Sequence, residues 1–306
     1  MRVFDVDEKG RVPGSYRTVN EAIAALPEGN EEVLIRVAEG TYREKVALRR
    51  GNVTVQGAGM DRTVIAWNDW GGKILEDGSM CHTFRSYTFF ADGDHITLKD
   101  LTLVNDAKPA VPDGQALALY ADGNDIHVEN VKLDSFQDTL FVGPLPEREF
   151  QAGGFTGPKQ FAPRIVGTQY YDKCVIMGNV DFIFGSGVAY FTGCEIISRN
   201  AREMTEHHAD GVTGYVTAPS HQQASPVGFV FTDCRFTAED CPDGSAYLGR
   251  PWREYGKVRI ERCYIGPHIC PEGWTDWGKT IGHFVFEEKD NYGPGAAGPR
   301  ALYVHQ

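Results

Sequence analysis

The sequence predicts an all-β protein, a single domain built as a solenoid of stacked short strands with one small helix near its start. Three observations carry this. Six segments repeat the same alternation of apolar and polar residues around a small or charged break. The 35 glycines and 16 prolines among 306 residues are spread along the chain, as tight turns between short elements require. Only one stretch in the N-terminal part reads as a helix.

That stretch, RTVNEAIAALPEG, offers Thr18 as N-cap, Glu21 three residues on to close a capping box, and Pro27 and Gly29 as stop signals. A helix within about 14–30 would cover one end of a strand stack, where edges and core are otherwise open to water. The repeats follow as ITLKDLTLVN, IHVENVKLDS, QYYDKCVIMG, AYFTGCEIIS, FVFTDCRFTA and VRIERCYIGP. Their equivalent positions, Leu101, Val131, Cys174, Cys194, Cys234 and Cys263, are spaced by 30, 43, 20, 40 and 29 residues, a unit near 20 with insertions. Period-two alternation means strands, and one such strand cannot bury its apolar face alone, so the repeats must stack. The tail, about 287–306 and including NYGPGAAGPR, reads as irregular wrapping.

The seven cysteines show no CxxC and no zinc-type spacing. Four of them at equivalent repeat positions suggest an interior ladder of free thiols acting as small apolar side chains. The adjacent pair His207 and His208 has no neighbouring ligand pattern and reads as a solvated loop, so no metal and no cofactor are expected. A net charge of −12 without any basic run argues against nucleic acid or an anionic membrane as partner. No apolar run approaches the length of a membrane span.

Four phrases interrupt the strand pattern with polar residues: DGQALALY (113–120), FQDTLFV (136–142), GNVDFIFGSG (178–187) and YLGRPWREY (247–255). Asp181, between Val180 and Phe182, would be an expensive carboxylate unless paired, and Arg250 is the partner to seek. Taken singly, Asp138 reads better as a turn residue capping its own backbone, and Trp252 as a packed aromatic.

These phrases resemble the signatures of the pectin methylesterase (pectinesterase) family, whose members carry QAVAL, QDTLY, GTVDFIFG and LGRPW in this order. The segments IRVAEGTYREKV, VQGAGMDRTVI, TFRSYTFFADG, GYVTAPS and PEGWTDW extend the likeness over nearly the whole chain. The resemblance implies a right-handed parallel β-helix and hydrolysis of methyl esters of galacturonate units. It implies Asp181 as nucleophile, Asp138 as general acid then base, Arg250 as partner of Asp181, and Gln115 and Gln137 as amides that stabilise the oxyanion. Trp252 and Phe184 become candidate substrate contacts, with Thr83 and Tyr215 drawn from the TFRS and GYVT phrases.

Asn179, Phe141 and Tyr120 depart from the usual Thr, Tyr and Arg, and the missing hydroxyl at Phe141 is expected to matter near the cleft. The expected partner is methyl-esterified homogalacturonan or its oligosaccharides, with a monomeric enzyme. The acidic net charge predicts a preference for highly methylated stretches. Two alternatives stay open: a depolymerase of the polygalacturonase or pectate lyase kind, and a non-catalytic polysaccharide-binding β-helix. With no leader readable at Met1, the expected location is cytoplasmic if the chain is complete and extracellular if Met1 replaces a removed leader.

Overall fold

Each repeat is a pair of strands meeting at a bend. The computed structural model describes residues 1–107, 114–200 and 211–306. In it the first two repeats form the strands Ile96–Asn105 and Ile126–Asp134, and the later four split into pairs such as Thr168–Asp172 with Val175–Gly178. The break residue has a left-handed backbone in every case: Asp100, Asn130, Lys173, Asp233 and Arg262 at φ between 51° and 57°, and Gly193 at 60°. Gly, Asn and Asp adopt that conformation readily, which explains the small or polar residue there; Lys173 and Arg262 adopt it against preference.

The strands on either side of the bends form two arms of one continuous ladder, and each coil closes through a third strand. The coil from Thr168 runs through Val175–Gly178 to Val180–Gly185 and returns to Val188, so Gln169 pairs with Ala189 one coil on. This is the unit of 20 residues read from the sequence. Third strands make a separate sheet of seven, in spatial order Val46–Leu48, Phe89–Asp92, Leu119–Asp122, Leu140–Val142, Val180–Gly185, Gly214–Pro219 and Ala246–Gly249. All of its ladders are parallel, so the architecture is a parallel β-helix.

Side chains of equal register stack along the interior. Tyr171, Phe191 and Phe231 lie face to face with centroids 4.7 and 4.4 Å apart. Truncating such a fully buried ring to alanine costs about 3–5 kcal/mol. Cys174, Cys194, Cys234 and Cys263 are buried free thiols at the bends. The amide of Cys194 donates to Cys234 Sγ at 3.4 Å, and that of Cys234 to Cys263 Sγ at 3.2 Å. Sulfur thus satisfies amides that the bend takes out of the strand ladder.

The N-terminal helix is shorter than its sequence signal, Val19–Ala24, because Pro27 disfavours helical backbone at Leu26. Its capping box forms as expected: Thr18 Oγ1 accepts from the Glu21 amide, and Glu21 accepts from the Thr18 amide. Val19 and Ala22 enter the core at the end of the stack.

The tail is more regular than expected. Strand Val285–Lys289 covers its first residues, and Val304–His305 pairs with it as a last short strand. The buried Glu288, held by Arg300 at 2.7 Å and by Trp274 Nε1 at 2.9 Å, puts a charge on the inward face and breaks the apolar alternation a sequence reader looks for. His207 and His208 lie outside the described residues. No described helix is long and apolar enough to cross a membrane.

Candidate active site

Three of the interrupting phrases place Gln115, Gln137 and Asp138 just before neighbouring third strands and Asp181 within the next, while the fourth supplies Arg250. Leu140 pairs with Leu119 on one side and Ile183 on the other, so Asp138 and Asp181 lie on adjacent coils. The Ala116 amide donates to the Gln137 carbonyl, and the Asp138 amide to the Val180 carbonyl, which aligns all three phrases.

Two backbone features turn Asp181 away from the core. The register slips between Val180, opposite Tyr215, and Ile183, opposite Thr217, so the strand carries one extra residue. Asp181 also has a left-handed φ of 51°. Such a bulge re-aims a side chain: Phe182 joins the interior core while Asp181 meets Arg250. Asp138 has a φ of 63°, a second non-glycine residue in this sparsely populated region.

Arg250 binds Asp181 through two parallel bonds, Nε to Oδ1 and Nη2 to Oδ2, both 2.8 Å. The pair is largely withdrawn from water, with side chains 16% and 11% exposed. Burial works against the charge of Arg250, but Asp181 outweighs it and the guanidinium pKa is raised. The plane of the guanidinium is fixed from both faces, by Tyr215 and by Trp277, each with its ring centroid 3.8 Å away. Gly249 lets the strand come close enough: a Cβ there would lie 2.0 Å from Thr217 Oγ1.

Asp138 is buried and its pKa is pushed well above the usual carboxylate range, by burial first and by the Asp181 charge second, with Arg250 opposing. Burial thus favours the neutral form of one carboxyl, beside another that has both oxygens engaged by a cation. Gln115 and Gln137 are partly exposed, and neither side-chain amide has a partner among the described residues. Two unengaged amides beside a carboxyl and a carboxylate can donate to an oxyanion. The described residues contain no group of His, Cys, Asp and Glu suited to a metal.

The expected substrate contacts sit differently from one another. Trp252 is half-buried and meets the edge of Phe184, centroids 5.7 Å apart at 70°. Phe184 itself is only 3% exposed and backs Trp252 in a cluster with Phe84, Tyr120, Phe141 and Phe155. Thr83 opens the short turn Thr83–Arg85 that delivers Phe84 into this cluster, and Tyr215 covers Arg250 and stacks on Tyr247.

The departures from the family pattern fall behind the cleft. Phe141 is fully covered, 4.9 Å from Phe84 and 4.8 Å from Tyr120, so its missing hydroxyl is a feature of packing and not of a wet surface. Asn179 is buried and its Oδ1 accepts from the Val180 amide at 2.7 Å. The sequence reading missed Trp277 and Arg253. Trp277 was visible only as the last letter of PEGWTDW, with nothing local to tie it to Arg250.

The pectinesterase family profile matches residues 6–152 and 165–302. A pectinesterase of Petunia integrifolia is 31% identical over 298 residues, 93% of this chain and 69% of its own length. Pectinesterase/pectinesterase inhibitor 18 of Arabidopsis thaliana is 32% identical over 294 residues, 92% of this chain and 46% of its own length. The chain thus spans about half the length or less of several Arabidopsis relatives.

Among solved structures, a pectin methylesterase from Erwinia chrysanthemi superposes with a TM-score of 0.83 at 27% identity, covering 100% of this chain and 93% of the other. A pectin methylesterase in complex with a hexasaccharide gives 0.82 at 27% identity over the same shares. The carrot enzyme gives 0.79 at 28% identity, covering 99% and 88%. By sequence and by fold, the chain is a member of the pectinesterase family.

Proposed function

We propose that this chain hydrolyses methyl esters of galacturonate units in pectin, using Asp181 as nucleophile and Asp138 as proton carrier. The observation that carries the reading is the unlike pair of acids: Asp181 clamped by Arg250 through two 2.8 Å bonds, and beside it Asp138, whose pKa burial and the Asp181 charge push up. An Asp181 oxygen attacks the ester carbonyl carbon, and the amides of Gln115 and Gln137 donate to the oxyanion. Collapse breaks the bond to methoxide, which leaves with the Asp138 proton as methanol.

The product on the enzyme is an anhydride between Asp181 and the uronate. Asp138, now a carboxylate, takes a proton from water while the hydroxide adds to the uronate carbonyl, releasing the free acid and restoring both side chains. The hexasaccharide held by a similar enzyme supports a polymeric or oligomeric substrate. Helix and tail cover the ends of the stack, which supports action as a monomer.

Methanol release from methylated pectin by the wild type and by Asp181→Asn tests the reading. Expected is a loss of at least about a thousandfold in kcat for the variant, since a unit that acts together fails together. Chain length should not change. New reducing ends, or substantial activity in Asp181→Asn, would refute the assignment.

A further inference from the structure

The longest spacing between repeats, 43 residues from Val131 to Cys174, holds an insertion, and the family profile leaves residues 153–164 of it unmatched. They belong to a strap, 144–167, that leaves the third strand Leu140–Val142 and returns at Thr168. Arg164 makes the strap one body. Its guanidinium donates to the Pro146 carbonyl on the outgoing leg at 3.2 Å, and to those of Lys159, Gln160 and Ala162 on the returning leg at 3.0, 2.8 and 2.6 Å.

Packing and charge tie this body to the coils. The buried Phe155 sets its ring edge-on to Phe84, centroids 6.0 Å apart, in the cluster that includes Tyr120, Phe141 and Phe184. Such an apolar roof accounts for Tyr120 and Phe141 standing where the family pattern has Arg and Tyr. Gly157 lies so close to Phe84 that a Cβ there would be 2.7 Å from the Phe84 Cβ and 3.0 Å from its carbonyl oxygen. The tie by charge is Lys159: its Nζ lies 2.6 Å from Asp92 and 3.9 Å from Asp122, two carboxylates at paired positions on adjacent coils. All three side chains are largely covered, so water and salt screen them less than a surface pair.

The strap reaches the site through the rings it packs on. Phe84 follows Thr83 in the chain and touches Phe184, and Phe184 backs Trp252, so two of the expected substrate contacts rest on side chains that the strap holds. The acids are set independently, by their own bends and by Arg250. We propose that Lys159, clipped between Asp92 and Asp122, is a positioning residue that latches this strap and so sets how tightly the cleft holds its sugar chain, with no part in the chemistry. This rests on the esterase reading above.

The test separates KM from kcat in methanol release from a methylated oligogalacturonate. Lys159→Met should raise KM about three- to tenfold, the net scale of one hydrogen bond, and leave kcat within about twofold. Lys159→Arg, whose two donors can serve both carboxylates, should bring KM back near the wild-type value. Gly157→Ala, which pushes the strap off Phe84 and leaves the charges alone, should raise KM in the same way. An unchanged KM in Lys159→Met, a fall in kcat as large as the rise in KM, or no recovery in Lys159→Arg overturns the latch; a merely structural lysine would lower the melting temperature and leave KM where it was. Should Lys159→Met fail to fold, Gly157→Ala decides by the same two constants. No methanol from the wild type overturns the esterase reading, whereas release with a KM indifferent to these substitutions overturns the latch alone.

Discussion

Replacing Arg250 by methionine keeps much of the volume between Tyr215 and Trp277 but leaves Asp181 without its cation. Two charge-assisted bonds of 2.8 Å and two ring contacts at 3.8 Å disappear together. Because the pair is about nine-tenths to five-sixths withdrawn from solvent, little screening reduces the effect. Removing one partner of such a pair costs about 3–5 kcal/mol, the larger part from the carboxylate left behind.

That origin makes a specific demand on a double-mutant cycle. Asp181→Asn in the Arg250→Met background removes the stranded charge and should recover about 2 kcal/mol or more of the loss, read from urea unfolding midpoints at constant slope. Arg250→Lys should keep charge but only one of the two bonds, lowering kcat/KM about 30- to 150-fold for a loss of about 2–3 kcal/mol. Additive stability effects in the cycle, or an Arg250→Lys enzyme within about threefold of wild type, would refute the argument.

The raised pKa of Asp138 has a signed consequence for stability. A carboxyl whose pKa is higher folded than unfolded contributes fully below about pH 4, the unfolded value, and that contribution is lost as pH rises toward the folded value. Asp138→Asn should therefore melt at a higher temperature than wild type at neutral pH, with the difference closing by about pH 4, while methanol release is abolished; a variant less stable than wild type at pH 7 would contradict this. Gln115→Leu and Gln137→Leu should each lower kcat about 100-fold with little change in KM, as removal of an oxyanion donor does. A change confined to KM would show that the amides bind ground-state substrate instead.

The stacking of the coils was legible in the sequence because strand alternation, a break residue and a thiol recur at equivalent positions. Every break residue proved to be a left-handed bend, and the thiols proved to be buried there. Where a buried charge enters the inward face, as Glu288 does, the same alternation fails and the strand hides. Phe141 shows the opposite error: a motif position near Asp138 suggests the cleft, yet the ring is completely buried, against Phe84, Tyr120 and Phe184.

By itself, then, the sequence determined the strand-rich solenoid, the capping box at Thr18 and Glu21, and the set of acids, amides and arginine, because period, turn chemistry and short phrases are local properties. Tertiary structure alone decided which of these groups meet. A one-residue slip at Asp181 and the reach of Arg250 from two coils away set the clamp. Trp277 over Arg250 and Phe150 over Arg253 join residues 27 and 103 positions apart, contacts that exist only once the coils are stacked.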